Sequence, residues 1–341
     1  MNKKLYISPS PHIKDSDSVP QIMYSVIGAL LPAGFFAVYT FGMHALWVMV
    51  VGCASAVITE WICQKAMNRP VTAFDGSAIL TGLLLAYNVP AEVPLWLPAI
   101  GAMVGVLVGK QVFGGLGYNP MNPALVGRAF LMASWPVHMT VFKTFPKGMT
   151  TLSGIDSYTM ATPLAAFKKT REILMQSGLD SEQLAPAKQA LNDLYDSYSN
   201  LFFGNVGGCI GETSAFLLLL GAVFLLYRRV IGWKIPFAFI GTVALLSWIF
   251  GGPNELFTGD PIFHILSGGV ILGAFYMATD MATTPVTFNG RLIFGVGCGV
   301  ITVVIRLWGG YPEGVSYSIL LMNLTTPLLD RYTRPKVFGG K

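Results

Sequence analysis

A succession of long apolar runs constrains the fold of this chain more than any other feature of its sequence. The runs approach the roughly 20 residues that an α-helix needs to cross the hydrocarbon core of a bilayer. Only 11% of the 341 residues are charged, whereas about 25% is typical of soluble domains. We therefore predict an all-α polytopic integral membrane protein. Its ten predicted spans cover residues 21–42, 44–64, 76–90, 95–115, 123–136, 212–227, 235–251, 261–280, 291–308 and 315–330.

The predicted spans fall into two groups of five that resemble each other. Residues 76–82 are similar to residues 268–274, and residues 114–120 are similar to residues 309–314, at nearly the same offset. Because five is odd, the two halves would be inverted relative to the membrane, as in many transporters. Chance similarity among glycine-rich helices is the alternative. The predicted parts are a cytoplasmic leader at 1–20, two five-helix repeats at 21–136 and 207–330, an extracytoplasmic segment at 137–206 and a cytoplasmic tail at 331–341.

Basic residues collect on one predicted side of the membrane. Cytoplasmic loops of membrane proteins carry an excess of Lys and Arg, and placing both termini in the cytoplasm leaves only Arg306 in the short outer loops. The net charge of +5 is explained by this bias, so nucleic-acid binding is not indicated. No secretory signal is expected at the N-terminus. The cytoplasmic set contains Lys3, Lys4, Lys14, Lys65, Arg69, Lys110, Arg228, Arg229, Lys234, Arg291, Arg331, Arg334, Lys336 and Lys341.

The extracytoplasmic segment contains a polar stretch in which a threonine precedes a proline. Thr162 followed by Pro163 is typical of a helix N-cap with proline at the first helical position. A helix start also attracts phosphate, because free backbone N–H groups and the helix dipole favour negative charge there. A phosphoester on Thr162 would suit this place as well as a simple cap. Helices are predicted near 163–176 and 183–197, and packing as a lid without chemistry is the alternative for most of the segment.

A second polar stretch at residues 109–130 contains two Asn-Pro pairs between predicted helices. Asn122 before Pro123 repeats the cap chemistry of Thr162, and this helix start could face a flavin, a quinone or an anionic group. A re-entrant packing turn is the alternative. Spans 76–90 and 123–136 are predicted to be broken or tilted, because they are short or interrupted by Gly and Pro.

Three ionisable residues lie in or beside predicted spans, where charges are costly and are usually functional or paired. Asp280 is a candidate for an ion path and Glu60 a weaker one, although a cap or an ion pair would explain either residue. Arg128 could hold a flavin phosphate or pair with an acid across the bundle. The four cysteines include no Cys-x-x-Cys pair, and the four histidines are scattered, so no metal, haem or iron–sulfur site is predicted.

Two motifs resemble one family of flavin-carrying membrane proteins. Residues 156–164 read Asp-Ser-Tyr-Thr-Met-Ala-Thr-Pro-Leu, which is similar to the covalent flavinylation motif shared by the D component of Rnf complexes and the B component of the sodium-pumping NADH:quinone reductase. The resemblance implies FMN joined through its phosphate to Thr162, with Asp156, Thr159 and Ala161 as motif residues. The stretch 109–130 is similar to a second signature of this family. On this resemblance Lys110, Asn119, Asn122 and Arg128 become candidate flavin contacts.

The resemblance covers nearly the whole chain and favours the Rnf branch, RnfD. The quinone-reductase branch carries an acid after its Gly-Lys pair, whereas this chain has Gln111, and the leader is short. The family then implies a component of an ion-translocating ferredoxin:NAD oxidoreductase that relays electrons while Na⁺ or H⁺ crosses the bacterial inner membrane. Such a component would carry FMN and would accommodate a second, non-covalent riboflavin between the halves.

The implied partners are the bilayer and the other Rnf components, RnfA, RnfB, RnfC, RnfE and RnfG, above all the flavoprotein RnfG. No residue of this chain need act as an acid or base catalyst, and NAD and ferredoxin would bind elsewhere, since no dinucleotide-binding glycine motif follows a strand. Two alternatives stay open. One is the B component of the quinone reductase, and the other is a channel or transporter with inverted repeats and no redox role.

Overall fold

Helices joined by short loops make up most of the described chain. The computed structural model describes residues 17–144, 158–159, 161–175, 181–204, 206–253, 255–311 and 313–334. The first part contains α1 (Val19–Phe41), α2 (Met43–Ala66), α3 (Ser77–Tyr87), α4 (Trp96–Val106), α5 (Pro123–Ser134) and α6 (Pro136–Thr140). The middle part contains strands β1 (Lys143–Thr144) and β2 (Tyr158–Thr159) and helices α7 (Pro163–Leu174), α8 (Ser181–Tyr195) and α9 (Tyr198–Phe203). The last part contains α10 (Ala215–Tyr227), α11 (Lys234–Phe250), α12 (Pro261–Leu266), α13 (Val270–Leu272), α14 (Phe288–Trp308) and α15 (Val315–Tyr332).

Three of the described helices are long and apolar enough to cross a membrane by length and composition. They are α1, α2 and α14, while α3, α5, α10 and α11 are shorter apolar helices. Helical structure lies in every one of the ten predicted ranges, and large apolar side chains such as Phe35, Phe237 and Val223 are exposed on the outside of the bundle. Apolar surface of this kind is what a lipid-facing helix presents. The predicted all-α membrane architecture is therefore confirmed, and a count of ten crossings stays a prediction.

The broken helix lies in a different span from those expected. Spans 76–90 and 123–136 contain the short but continuous helices α3 and α5, whereas span 261–280 divides into α12 and α13. Gly268 turns the chain between them with a φ of 69°, a conformation that glycine adopts readily. A Cβ atom at Gly268 would lie 2.6 Å from Leu164 Cδ1, so the break also provides room for α7.

Arg306 occupies the break rather than an outer loop. It belongs to the last turn of α14 and is buried. Its guanidinium donates to the carbonyl oxygens of His264, at 2.5 Å, and Ser267, at 3.0 Å. These carbonyls lie where α12 ends and have no helical partner. Arg306 was the one basic residue predicted in the short outer loops. In the structure it caps the buried C-terminal end of α12.

The two halves of the chain use the same helix pairs. Helix α2 packs on α4 as α11 packs on α14, and α4 packs on α5 as α14 packs on α15. Tyr87 donates to the carbonyl oxygen of Leu30, and Tyr276 donates to that of Leu218, both at 2.7 Å. Each tyrosine thus ties its helix to the first helix of its own half. The halves meet where α1 contacts α10 and α5 contacts α15.

The middle segment forms a helical layer against one end of the bundle. Strands β1 and β2 pair antiparallel, with Lys143 opposite Thr159, and bring the chain to the start of α7. Phe167 of α7 is buried against Phe263 and His264 of α12, with ring centroids 5.5 and 4.8 Å apart. The helices predicted at 163–176 and 183–197 are confirmed as α7 and α8. Residues 1–16 of the leader and 335–341 of the tail lie outside the described residues.

Candidate functional site

Seven of the ten predicted site residues line two separate cavities. Thr162, Ala161 and Arg128 lie in the wall of a cavity of about 280 Å³, which we call the Thr162 cavity. A smaller cavity of about 80 Å³, the Lys110 cavity, is lined by four further predicted residues: Lys110, Asn119, Asn122 and Asp280. The sequence motifs therefore identify two sites instead of one. Asp156 lies outside the described residues, and the backbone of Thr159 forms part of β2.

Thr162 caps α7, as its sequence predicts. Its backbone is extended, with φ −63° and ψ 154°, Pro163 occupies the first helical position, and the Thr162 Oγ1 accepts from the Ala165 N–H at 3.2 Å. The free N–H groups and the dipole of a helix start favour negative charge. A phosphate esterified to this same Oγ1 would therefore sit beside the first turn of α7, at the wall of the Thr162 cavity.

Two basic side chains hold α7 against the ends of longer helices. Arg171 is buried and donates to the carbonyl oxygen of Leu307 at 3.0 Å and to that of Phe250 at 3.4 Å. Lys168 donates to the carbonyl oxygen of Gly309. These acceptors lie at the C-terminal ends of α14 and α11, where carbonyl groups lack helical partners and cations are favoured. The position of Thr162 thus depends on two helix ends from the second half of the chain.

Replacing Arg171 by Met is expected to loosen α7 while leaving the bundle folded. Met keeps most of the apolar stem of the side chain but removes two hydrogen bonds from a charged donor. A hydrogen bond of this kind contributes about 1.5–3 kcal/mol to stability. Amide hydrogen exchange of residues 163–174 should accelerate at least about tenfold, since about 1.4 kcal/mol corresponds to a factor of ten. Lys169→Met removes an exposed cation from the same helix and should leave exchange unchanged. Equal exchange in both variants would contradict the anchoring role of Arg171.

A buried charge network forms the base of the Thr162 cavity. Arg128 donates to the Asn88 Oδ1 at 2.5 Å and pairs with the Glu313 carboxylate. Glu313 also accepts from the Gly269 N–H at 2.5 Å, and Glu212 lies in the same wall. The prediction that Arg128 pairs with an acid across the bundle is confirmed. Sequence reasoning did not identify Glu313, Glu212 or Asn88, because no local pattern links them to Arg128.

Lys110, in the wall of the Lys110 cavity, makes three hydrogen bonds to buried side chains. Its ammonium lies 2.8 and 2.7 Å from the two carboxylate oxygens of Glu60 and 2.7 Å from the Ser77 Oγ. A π-helical turn over Leu107–Gln111 at the end of α4 presents this side chain to the interior, and such turns are frequent at functional sites. The ion-pair interpretation of Glu60 is confirmed. A flavin contact by Lys110 stays a prediction.

The remaining walls of the Lys110 cavity join the two halves of the chain. Asn122 caps α5 by accepting from the Ala124 N–H at 3.1 Å, as predicted, and donates to the carbonyl oxygen of Met277 at 3.3 Å. Asp280 accepts from the Thr283 hydroxyl at 3.2 Å and the Ala282 N–H at 3.4 Å. About 80 Å³ equals the liquid volume of two to three waters. The cavity therefore has room for a few waters or for a small cation that has lost most of its hydration shell.

Comparison with known proteins identifies the family of this chain. A sequence model of the NQR2, RnfD, RnfE family matches residues 6–339. The chain is 47% identical over 335 residues to the D component of the proton-translocating ferredoxin:NAD(+) oxidoreductase complex of Clostridium ljungdahlii, covering 98% of this chain and 96% of that protein. It is 45% identical to the D component of the Na(+)-translocating ferredoxin:NAD(+) oxidoreductase complex of Acetobacterium woodii, covering 98% and 95%.

A more distant relative extends the same similarity. The D component of an ion-translocating oxidoreductase complex of Stutzerimonas stutzeri is 38% identical over 327 residues, covering 94% of this chain and 92% of the relative. These relatives match along nearly their whole lengths, so both cavities and α7 lie within the shared part. The chain belongs to the NQR2, RnfD, RnfE family.

Proposed function

We propose that this chain is the D component of an Rnf-type ferredoxin:NAD oxidoreductase and carries FMN on Thr162 as a phosphoester. The observation that carries the proposal is the position of the Thr162 Oγ1 at the first turn of α7, beside a cavity of about 280 Å³. That volume is near the lower end of the roughly 300–1,000 Å³ typical of small-molecule sites. The chain would act as a relay within an electron-transport complex coupled to Na⁺ or H⁺ translocation.

The walls of the Thr162 cavity suit a flavin in both chemistry and placement. Met132, Met139 and Leu201 provide apolar surface, Tyr311 provides an aromatic ring, and Arg128 provides a buried cation at the base. Bound FMN supplies reversible electron transfer, while the protein supplies position and electrostatic environment. Thr162 would fix the phosphate end, α7 would orient it, and the apolar walls would exclude water.

The proposed membrane topology has ten spans in two inverted repeats, with both termini cytoplasmic and residues 137–206 outside. Equivalent features support it. Gly76 precedes α3 with a φ of 88°, and Gly268 precedes α13 with a φ of 69°. Tyr87 and Tyr276 make equivalent hydrogen bonds. Inner-membrane location follows from an Rnf-type assembly.

The ion path is proposed to use Asp280, which lines the Lys110 cavity, and Glu60, which contacts the Lys110 ammonium. This cavity lies between the halves, since α1, α3, α10 and the turn after α13 all line it. Asn119 and Asn122 add oxygen ligands of the kind that a cation prefers. A riboflavin between the halves would require this cavity to widen well beyond about 80 Å³. The other Rnf components, especially RnfG, are proposed to deliver and accept electrons.

A test of covalent flavin attachment uses the purified chain on a denaturing gel. After expression with a flavin transferase, the wild-type band should fluoresce and Thr162→Ala should be dark. Thr140→Ala removes another hydroxyl from the wall of the same cavity and should stay as bright as wild type. A dark wild-type band would refute the redox proposal. Ion or solute flux through the isolated chain without electron donors would favour the transporter alternative.

A further inference from the structure

Two carboxylates from distant parts of the chain meet at the base of the Thr162 cavity. Glu212 lies in a short 3₁₀ turn, Ile210–Glu212, before α10, and Glu313 lies in the loop between α14 and α15. A Cβ atom added at Gly269 would lie 2.7 Å from the Glu313 Oε1 and 3.2 Å from the Glu212 Oε1. Both oxygen atoms therefore converge on the same backbone position, and a side chain there would have to displace the Glu313 carboxylate.

The two carboxylates have very different hydrogen-bond partners. Glu313 pairs with Arg128 through one oxygen and accepts the Gly269 N–H through the other. Glu212 accepts a long bond of 3.4 Å from the Cys209 N–H through its Oε2. Its Oε1 is buried and has no donor among the described residues. A buried acceptor without a donor costs folding free energy. The Glu313 carboxylate beside it cannot supply the hydrogen bond, because an ionised carboxylate only accepts.

A proton on Glu212 would satisfy this arrangement. Burial and the neighbouring Glu313 carboxylate raise the pKa of Glu212 well above its usual value. Burial alone would raise the pKa of Glu313 too, but the Arg128 guanidinium outweighs it and lowers that pKa. The charged and titratable groups that act on the pair are Arg128 from α5, Arg306 from α14 and the Cys209 thiol. Two adjacent carboxyls of this kind hold their protons as a pair.

We propose that Glu212 and Glu313 form an acid pair that binds one proton, with Glu212 as the neutral carboxyl donating to the Glu313 carboxylate. The pair faces the same cavity as Thr162. Its coupling to electron transfer rests on the proposed function: FMN held on Thr162 would become more basic on gaining an electron from a neighbouring protein of the complex, and Glu212 would transfer its proton to that flavin. The Glu212 carboxylate then regains a proton from the outer aqueous phase, which restores the pair.

Infrared spectroscopy of flavin-free protein tests the proton directly. In the Thr162→Ala background at neutral pH, the spectrum should contain the C=O band of a protonated carboxyl that shifts in D₂O. Glu212→Gln should abolish this band. Glu255→Gln, at an exposed loop position, should retain it. A band that is absent from the parent protein, or that survives Glu212→Gln, would overturn the proposal. Since no flavin is present, this outcome is independent of flavin attachment.

The acid pair also predicts unequal effects of two matched substitutions. At a pH of about 4, where Glu212 also binds a proton in the unfolded chain, Gln at position 212 mimics the neutral carboxyl because its amide can donate to Glu313, and the melting temperature should hardly change. Glu313→Gln leaves Arg128 buried without its carboxylate and should lower the melting temperature clearly. Equal losses in both variants would indicate two ordinary ionised carboxylates and would contradict the proposal.

The dependence of stability on pH has a defined sign. Because the folded-state pKa of Glu212 is raised, its contribution is complete below the unfolded value of about 4.3 and is lost as pH rises toward the folded-state pKa. Wild type should therefore lose stability relative to Glu212→Gln over this interval. An unchanging difference between the two melting curves would argue against a proton on Glu212.

The loaded protein provides a separate test of coupling. The flavin reduction potential should depend on pH in wild type and in Glu255→Gln, and this dependence should weaken in Glu212→Gln. An unchanged slope in Glu212→Gln would show that the proton is not coupled to the cavity. Absence of flavin from the loaded wild-type protein would instead refute the proposed function and leave the infrared result intact.

Discussion

Replacing Lys110 by Met is expected to destabilise the protein by about 3–5 kcal/mol, the usual cost of leaving one member of a buried ion pair without its partner. Lys110 and Glu60 are only 2% and 1% exposed at their side chains, and the ammonium contacts both carboxylate oxygens and Ser77. With Met at position 110, the Glu60 charge would remain buried without its cationic partner, although the Gln64 Nε2 still donates to its Oε1 at 3.1 Å. Thermal unfolding of the purified chain in detergent measures the loss.

The double variant Lys110→Met/Glu60→Met separates a lost attraction from a stranded charge. Because both charges are removed, it should recover most of the stability that the single variant loses. Arg331→Met, at an exposed position near the end of α15, controls for removal of a cation. A single Lys110→Met variant as stable as wild type would contradict the buried ion pair, and so would a double variant as unstable as the single one.

Replacing Gly221 by Leu is expected to prevent the two halves from packing. A Cβ atom at Gly221 would lie 2.2 Å from the carbonyl oxygen of Ala29 and 2.3 Å from the Tyr276 hydroxyl. The first atom belongs to the backbone of α1, so no side-chain rotation can relieve the clash. The effect should exceed the roughly 1–3 kcal/mol of ordinary overpacking. Size-exclusion chromatography in detergent should show aggregated instead of monodisperse protein.

A matched glycine distinguishes this contact from a general intolerance of leucine in apolar helices. Gly241 lies on an exposed face of α11, and a Cβ atom there would meet nothing within 4 Å. Gly241→Leu should elute like wild type. If Gly221→Leu elutes as wild type too, the close crossing of α1 and α10 is not the contact that joins the halves.

Local chemistry made part of this molecule predictable from sequence. The apolar runs identified the helical segments, because a segment within a bilayer must form hydrogen bonds between its own backbone N–H and C=O groups. The caps at Thr162 and Asn122 were predictable for a similar reason, since the chemistry of a helix start is contained in two neighbouring residues. The anchoring of α7 by Arg171 was not predicted, because its acceptors lie on α11 and α14.

Contacts between residues far apart in the sequence could not be predicted within the candidate site. An acid was one of the two partners predicted for Arg128, but the acid itself, Glu313, lies 185 positions later, in a loop with no helical pattern. Likewise, the break at Gly268 could not be predicted from its own span, because the residues that pack against it are Leu164 of α7 and Arg306 of α14. The division of the predicted residues between two cavities also depends on how the halves meet, and no single motif contains that information.

The two cavities suggest a division of labour within the proposed relay. The Thr162 cavity combines a helix start, apolar walls and an acid pair, which suits a bound redox group and one exchangeable proton. The Lys110 cavity combines an ion pair with Asp280 and two asparagines in about 80 Å³, which suits a small cation. Met277 of the second half accepts hydrogen bonds from Asn122, which lines the Lys110 cavity, and from Asn88, the partner of Arg128, so one residue connects the surroundings of the two sites.

The most direct test of flavin attachment at Thr162 is tandem mass spectrometry of the peptide containing residues 161–168, taken from active complex. We expect this peptide to carry the mass of FMN on a phosphoester bond, with fragment ions assigning it to Thr162. An unmodified peptide from fully active complex, or flavin attached to another residue, would contradict the proposed relay.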